Sequence, residues 1–146
     1  MRGKVIAINI SEKKGVPKKT IDEGRFEVDH GLLGDAHAGN WHRQVSLLGI
    51  ESINKMKALG IEGLCTGKFA ENLTTEGIEL YNLEIGTKMK IGETVHEVTQ
   101  IGKECHTKCA IFHQVGNCVM PTEGIFTKVL VGGTIKIGRA SCRERV

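Results

Sequence analysis

The soft and titratable side chains of this chain crowd into one stretch. Thr99 to Gly124 reads TQIGKECHTKCAIFHQVGNCVMPTEG and holds Cys105, Cys109 and Cys118, with His106 and His113 between them and Lys103 and Lys108 alongside. Three chemistries suit that pattern. A reactive thiolate is favoured by cationic neighbours such as Lys103 and His106, and Cys105 is the sulfur best placed for it. A tetrahedral metal site could use Cys105, Cys109 and Cys118 with a histidine. Cys-x3-Cys is a tolerable half of such a site, but no second tight pair follows. The third possibility is packing, since free cysteines commonly fill cores as small apolar residues.

A second polar cluster precedes it. Asp29 to His42, DHGLLGDAHAGNWH, holds three histidines and two aspartates among three glycines and an asparagine, so neither regular helix nor regular strand fits and a functional loop is expected. The plain alternative is that Asp29 and Asp35 form local turns by bonding nearby backbone.

The elements that must position these clusters are mostly strands. Lys4 to Ile10 alternates around β-branched residues and reads as an opening strand, and the polar SEKKGVPKK is a loop. Thr20 to Val28 reads as a second strand with a bulge at Gly24. Arg43 to Leu48 is a short strand. It leads into a helix over Gly49 to Leu59, in which Ile50, Ile53, Met56 and Leu59 recur at helical spacing. Leu73, Thr75, Ile78 and Leu80 alternate after Glu71 and Asn72. LEIGTKMKIGETVHEVTQI is a hairpin turning at Gly92-Glu93, and its second strand, Thr94 to Ile101, delivers the chain to Cys105. A thiol at the end of a strand, after a glycine, is held firmly yet left accessible. Ile125 to Leu130 and TIKIG close the pattern. Roughly eight short strands with one or two helices make the chain mainly β, a barrel or folded sheet.

Composition agrees and excludes much. At 146 residues, 40% hydrophobic and 25% charged, the chain is one domain, and 19 glycines against 2 prolines suit tight turns between short elements. No run approaches the length of a membrane span, and the short apolar start is no signal-peptide core, so a cytoplasmic protein with reduced thiols is expected. The last ten residues, IGRASCRERV, match one reading frame of a widely used sequencing adapter. The domain is therefore taken as 4–138, with 139–146 a non-native tail that starts as early as residue 137. Without that tail the formal net charge falls from +3 to +1, and with it goes the case for a nucleic-acid surface.

Three separated segments, in order, resemble the MOSC domain, a module found at the end of molybdenum-cofactor sulfurases and as short stand-alone proteins. GLLGDAHAG followed by RQVSLL resembles its GLxGDxH segment and the next strand, FAENLTTEGIEL its F-x-ENL-T segment, and VTQIGKEC the strand and loop that end in its motif cysteine. The likeness runs from Lys4 to Gly138. It implies a β-rich, barrel-like fold and a cysteine, here Cys105, that carries sulfur as a persulfide or contacts the molybdenum of a pterin cofactor. Cys109 and Cys118 are weaker candidates as metal ligands. By the same resemblance, cofactor contacts fall to Asp35, His37, Arg43, Asn72 and Lys103. The forked guanidinium of Arg43 suits a pterin phosphate, or else a surface ion pair. The chain departs from the commoner pattern at Glu104, where a proline usually precedes the cysteine.

No room exists for a pyridoxal-phosphate domain, so any sulfur must come from a partner, a cysteine desulfurase or another cofactor-maturation protein, and a molybdoenzyme is a possible recipient. No nucleic acid or membrane partner is expected. The resemblance thus implies molybdenum-cofactor binding or sulfur carriage during cofactor maturation. A small molybdoenzyme reducing N-hydroxylated compounds and a zinc-stabilised binding module are the alternatives.

Overall fold

The computed structural model describes residues 2–14, 16, 18–58, 70–102, 123–137 and 141–145. Strand β1 (Arg2–Ile10) opens the chain. It is followed by β2 (Lys19–Ile21), β3 (Glu23–Glu27), β4 (Gly31–Leu32), β5 (Val45–Gly49) and helix α1 (Ile50–Lys57). After these come β6 (Leu73–Glu76), a 3-10 turn at Leu80–Asn82, β7 (Lys88–Ile91), β8 (Thr94–Ile101), β9 (Ile125–Val131), β10 (Gly133–Lys136) and β11 (Ser141–Arg145). The class is mainly β, as the alternation predicts.

Among the described residues the strands form an eight-stranded sheet in the order β11-β7-β8-β9-β5-β6-β1-β2 and a three-stranded sheet β10-β3-β4. Neighbours are antiparallel except β5 and β6, which run parallel with Leu47 opposite Leu73. That one parallel pair follows from α1, which supplies part of the crossover between them. Ile53 and Met56 of α1 are buried, and Lys55 and Lys57 face outward, so the helical spacing in the sequence was a true amphipathic signal. Val5, Ile8, Phe26, Leu32, Leu47, Leu73, Met89, Val98, Ile125 and Ile135 meet in a single core cluster.

Strand β4 lies inside the stretch expected to be a loop, Leu80 falls in a 3-10 turn, and two further features differ from the sequence reading. The segment Thr20 to Val28 is two strands, not one with a bulge: β2 pairs with β1, while β3 pairs with β10 and β4 in the other sheet. Gly24 sits in regular register opposite Ile135. A Cβ there would fall 2.7 Å from Leu32 Cδ1, so any larger residue would have to displace that side chain. The register shifts lie instead in β1, between Val5 and Ala7, and along the β8–β9 pair, at Thr99 and at Leu130. Second, residues 141–145, set aside above as a tail, form β11, which pairs with β7 on one side and β1 on the other. Apolar alternation reports a strand that faces a core, whereas a slot between two strand edges needs only main-chain donors and acceptors.

Among the buried titratable groups, one sits within the sheet itself. His96 of β8 is fully buried, with Nε2 2.8 Å from Thr94 Oγ1, Nδ1 3.1 Å from Thr127 Oγ1, and its ring edge-on to Phe26 at 5.7 Å. The Thr94 hydroxyl donates to Ile91 O at 2.7 Å, so it accepts from His96 Nε2–H, and Nδ1 accepts from Thr127. Burial pushes this imidazole down from 6.5 to about 4.

Two tests follow. Between pH 6.5 and 4 the unfolded chain binds a proton that the folded one refuses, so stability is full above that window and falls through it by roughly 3 kcal/mol. Denaturant melts across this range should show that slope, and His96→Phe should flatten it; an unchanged slope assigns it to other groups. Deleting residues 139–146 should lower Tm by several degrees, since about 1 kcal/mol moves a domain of this size by roughly 2–4 °C. Restoring a strand of unrelated sequence should recover most of the loss. Equal melting of the truncated and full chains would show that 139–146 are no part of the domain.

Candidate functional site

The polar loop 29–42 is held by an ion pair beneath it. Gly31, at φ +109°, carries β4 so close to the following strand that a Cβ would sit 2.7 Å from Gln44 O. The chain then turns through Asp35 N to Leu32 O (3.2 Å), Ala38 N to Asp35 O (3.2 Å) and Gly39 N to His30 O (2.7 Å), while Ala36 N bonds Ser11 O at 2.8 Å. Under these turns lie Asp35 and Lys18, both side chains 0% exposed, with Lys18 Nζ 2.7 Å from Asp35 Oδ1. Asp35 Oδ1 also accepts from Ser11 N–H at 3.1 Å, and Oδ2 from His37 N–H at 3.1 Å. The last is the local turn weighed above as the plain reading of Asp35.

Burial alone would raise the Asp35 carboxyl. The hydrogen bonds from Lys18 and the Ser11 amide, the Lys18 charge and the Asn72 side chain together outweigh it, and the group lies below its usual value. It stays ionised and keeps its cation.

The loop then crosses the end of the sheet. Trp41 Nε1 donates to His37 O at 2.9 Å, and the Arg43 guanidinium lies 4.6 Å from the centre of the Trp41 ring and 5.7 Å from that of Phe126 in β9. Arg43 Nε is buried with no hydrogen-bond partner among the described residues. His42 Nε2 meets Gln100 Oε1 at 3.0 Å, and the Thr99 hydroxyl donates to His42 O. Gln100 in turn donates to Gly102 O at 2.8 Å, and Gly102 N bonds Gly124 O at 2.6 Å. Loop 35–43 is thereby fastened over the ends of β8 and β9, where the chain leaves for residues 103–122. Gly102 makes that exit at φ +76°.

Not every residue singled out in the sequence faces a ligand. His37 is part-exposed at 27%, and Arg43 is half-buried; Asp35 and Asn72 are interior. Asn72 Oδ1 accepts from Ser46 N–H at 3.0 Å and Nδ2 donates to Asn9 O at 3.3 Å, which ties the start of β6 to β5 and β1. Cys105, Cys109, Cys118, Lys103 and both histidines among them lie outside the described residues. Among the described residues no three His, Cys, Asp or Glu side chains converge as a metal site, and no helix is long and apolar enough to cross a membrane.

Sequence reasoning missed Lys18 and Trp41. Trp41 was in the loop and could have been flagged as its one large aromatic. Lys18 carried no signal in a run of lysines read as a polar loop, because its carboxylate lies 17 residues away.

Comparison with known proteins places this arrangement. The model of the MOSC domain matches residues 34–140, which contain the loop, α1 and the cysteine stretch. No curated protein matches significantly. In solved structures, the fold is similar to YuaD from Bacillus subtilis (TM-score 0.82, 17% identity, 100% of this chain and 97% of that one). It is also similar to YiiM from Escherichia coli (TM-score 0.72, 19% identity, 100% and 70%) and YiiM from Geobacillus stearothermophilus (0.74, 18%, 99% and 75%). The family match spans well over half the sequence, and by it this chain belongs to the MOSC domain family.

Proposed function

We propose that this MOSC domain acts in molybdenum-cofactor maturation, binding the molybdenum-pterin cofactor or carrying sulfur for it on the Cys105 thiolate. The observation that carries the reading is the fastening of loop 35–43 over the strand ends that bracket residues 103–122. Cys105 follows Gly102 by three residues, and covalent geometry keeps it within about 11 Å of that glycine.

The residues present fit an anionic, planar group. Arg43 offers a buried donor with no partner among the described residues and a guanidinium held 4.6 Å from the Trp41 ring, which suits a phosphate or a heteroaromatic face. When bound, the cofactor would supply molybdenum, a soft centre that prefers thiolate ligation. The protein's own part is to orient it through His37 and Arg43 and to present the sulfur, with Lys103 favouring the thiolate.

As a carrier, Cys105 would attack the outer sulfur of a partner desulfurase's persulfide. A new S–S bond forms at Cys105, the donor's S–S bond breaks, and the donor cysteine leaves as thiolate. Cytoplasmic residence, where thiols stay reduced, belongs to the same proposal.

The decisive experiment makes Cys105, Cys109 and Cys118 serine in turn. Alkylation rate near neutral pH, persulfide loading from a cysteine desulfurase and retention of molybdenum-pterin cofactor should all be lost with Cys105→Ser alone. Retention of all three there, with loss at Cys109 or Cys118, would move the chemistry to another sulfur.

The loop is tested separately. Arg43→Met should weaken cofactor retention at least tenfold with little change in stability, and His37→Ala should weaken it as much while also lowering stability by about 1–3 kcal/mol, since it strands one N–H of the buried Lys18. Asp35→Ala leaves the Lys18 ammonium buried without its counter-ion and should cost about 3–5 kcal/mol in denaturant melts. An Asp35→Ala protein of unaltered stability would mean that Lys18 escapes to solvent and that the pair does not hold the loop.

A further inference from the structure

Lys18 is a cation with no exposed side-chain surface, and its surroundings account for every proton it carries. Nζ lies 2.7 Å from Asp35 Oδ1, 3.1 Å from Ser11 Oγ and 3.0 Å from His37 Nδ1. An ammonium has three N–H bonds and no lone pair, so three donors meet three acceptors. The consequence falls on His37. Its Nδ1 faces a group that can only donate, and must therefore present its lone pair. The ring's one proton then sits on Nε2.

The rest of His37 is equally constrained. Asp35 Oδ2 accepts its backbone N–H at 3.1 Å and Trp41 Nε1 donates to its carbonyl at 2.9 Å, so the ring starts from a fixed backbone. The nearer alternative can be tested on distance. A histidine that binds metal through Nε2 usually donates Nδ1–H to a carboxylate or carbonyl. Asp35 Oδ2 is 3.9 Å from Nδ1, beyond hydrogen-bond reach, and Lys18 occupies the position instead. Protonating Nδ1 would set two donors against each other beside the Lys18 charge.

We infer that Lys18 is a positioning residue that locks His37 in its neutral Nε2–H tautomer, making it a hydrogen-bond donor to an oxyanion or carbonyl oxygen rather than a metal ligand or a general base. Whatever meets Nε2 must be an acceptor. This deepens the proposed cofactor reading in one respect, the kind of ligand atom His37 contacts. It is tested on the ligand-free protein, so its failure would leave that reading standing.

The experiment is nuclear magnetic resonance of the full chain labelled with 15N, at neutral pH, with His37→Gln to assign the ring signals. The expected result is a protonated Nε2 and an acceptor-type Nδ1 for His37, together with a slowly exchanging Lys18 ammonium coupled through the hydrogen bond to Nδ1. In Lys18→Met/Asp35→Asn, which removes both charges, the single tautomer should be lost and both ring nitrogens should share the proton. An Nδ1–H tautomer or an imidazolium in the unaltered chain overturns the inference. So does an unchanged Nε2–H tautomer in the folded double variant, which would show that Lys18 does not set it. Should the double variant not fold, the Lys18–His37 coupling in the unaltered chain decides alone: its presence supports the lock, its absence overturns it.

Discussion

The arrangement of the candidate site depends on one buried ion pair. Withdrawing an ammonium and a carboxylate from water costs several kcal/mol for each ion, and attraction between them repays that only if the remaining protons and lone pairs are also used. Around Lys18 and Asp35 they are used. Ser11 supplies both an acceptor for the lysine and a backbone donor for the aspartate, and His37 likewise offers a ring acceptor and a backbone donor. The pair thus joins the residue after β1, the residue before β2 and the middle of loop 29–42. A glycine-rich loop with little apolar surface of its own is fixed by charge.

From that anchor the constraint passes outward through contacts that each hold the next. His37's carbonyl fixes the Trp41 ring, Trp41 supports the Arg43 guanidinium, and Arg43 reaches Phe126 on β9. His42 and Gln100 join the same loop to β8. Both faces of the site are therefore set by rigid sheet: one by β1 and β5 below the loop, the other by the ends of β8 and β9. A site placed on strand ends in this way is more sharply positioned than one borne by loops alone.

The mainly β class, α1 and the hairpin at Gly92-Glu93 were legible in the sequence because each has a local signature: period-two alternation, 3.6-residue spacing, a two-residue glycine turn. The split of Thr20 to Val28 between two sheets was not, since only Ile21 marks β2 and the shift of the inward phase to Gly24 and Phe26 past Asp22 reads equally well as a bulge. Strand β11 was invisible for the opposite reason. Its pairing with β1 and β7 is main-chain hydrogen bonding, which any non-proline sequence can supply.

In the site itself, the motif residues proved good guides to place and poor guides to role. Asp35 and Asn72 stand out in the sequence because polar residues in such patterns often touch ligands. In the structure their side chains are spent on Lys18, Ser11, His37, Ser46 and Asn9. An interior carboxylate and an interior amide tolerate little change of shape or charge, since each substitution strands several partners at once. Half-buried Arg43 is restrained differently, by the aromatic rings of Trp41 and Phe126 beside its guanidinium, and its Nε is unpartnered among the described residues. In this site the buried network sets the geometry, and Arg43 is held at its edge between the rings of Trp41 and Phe126.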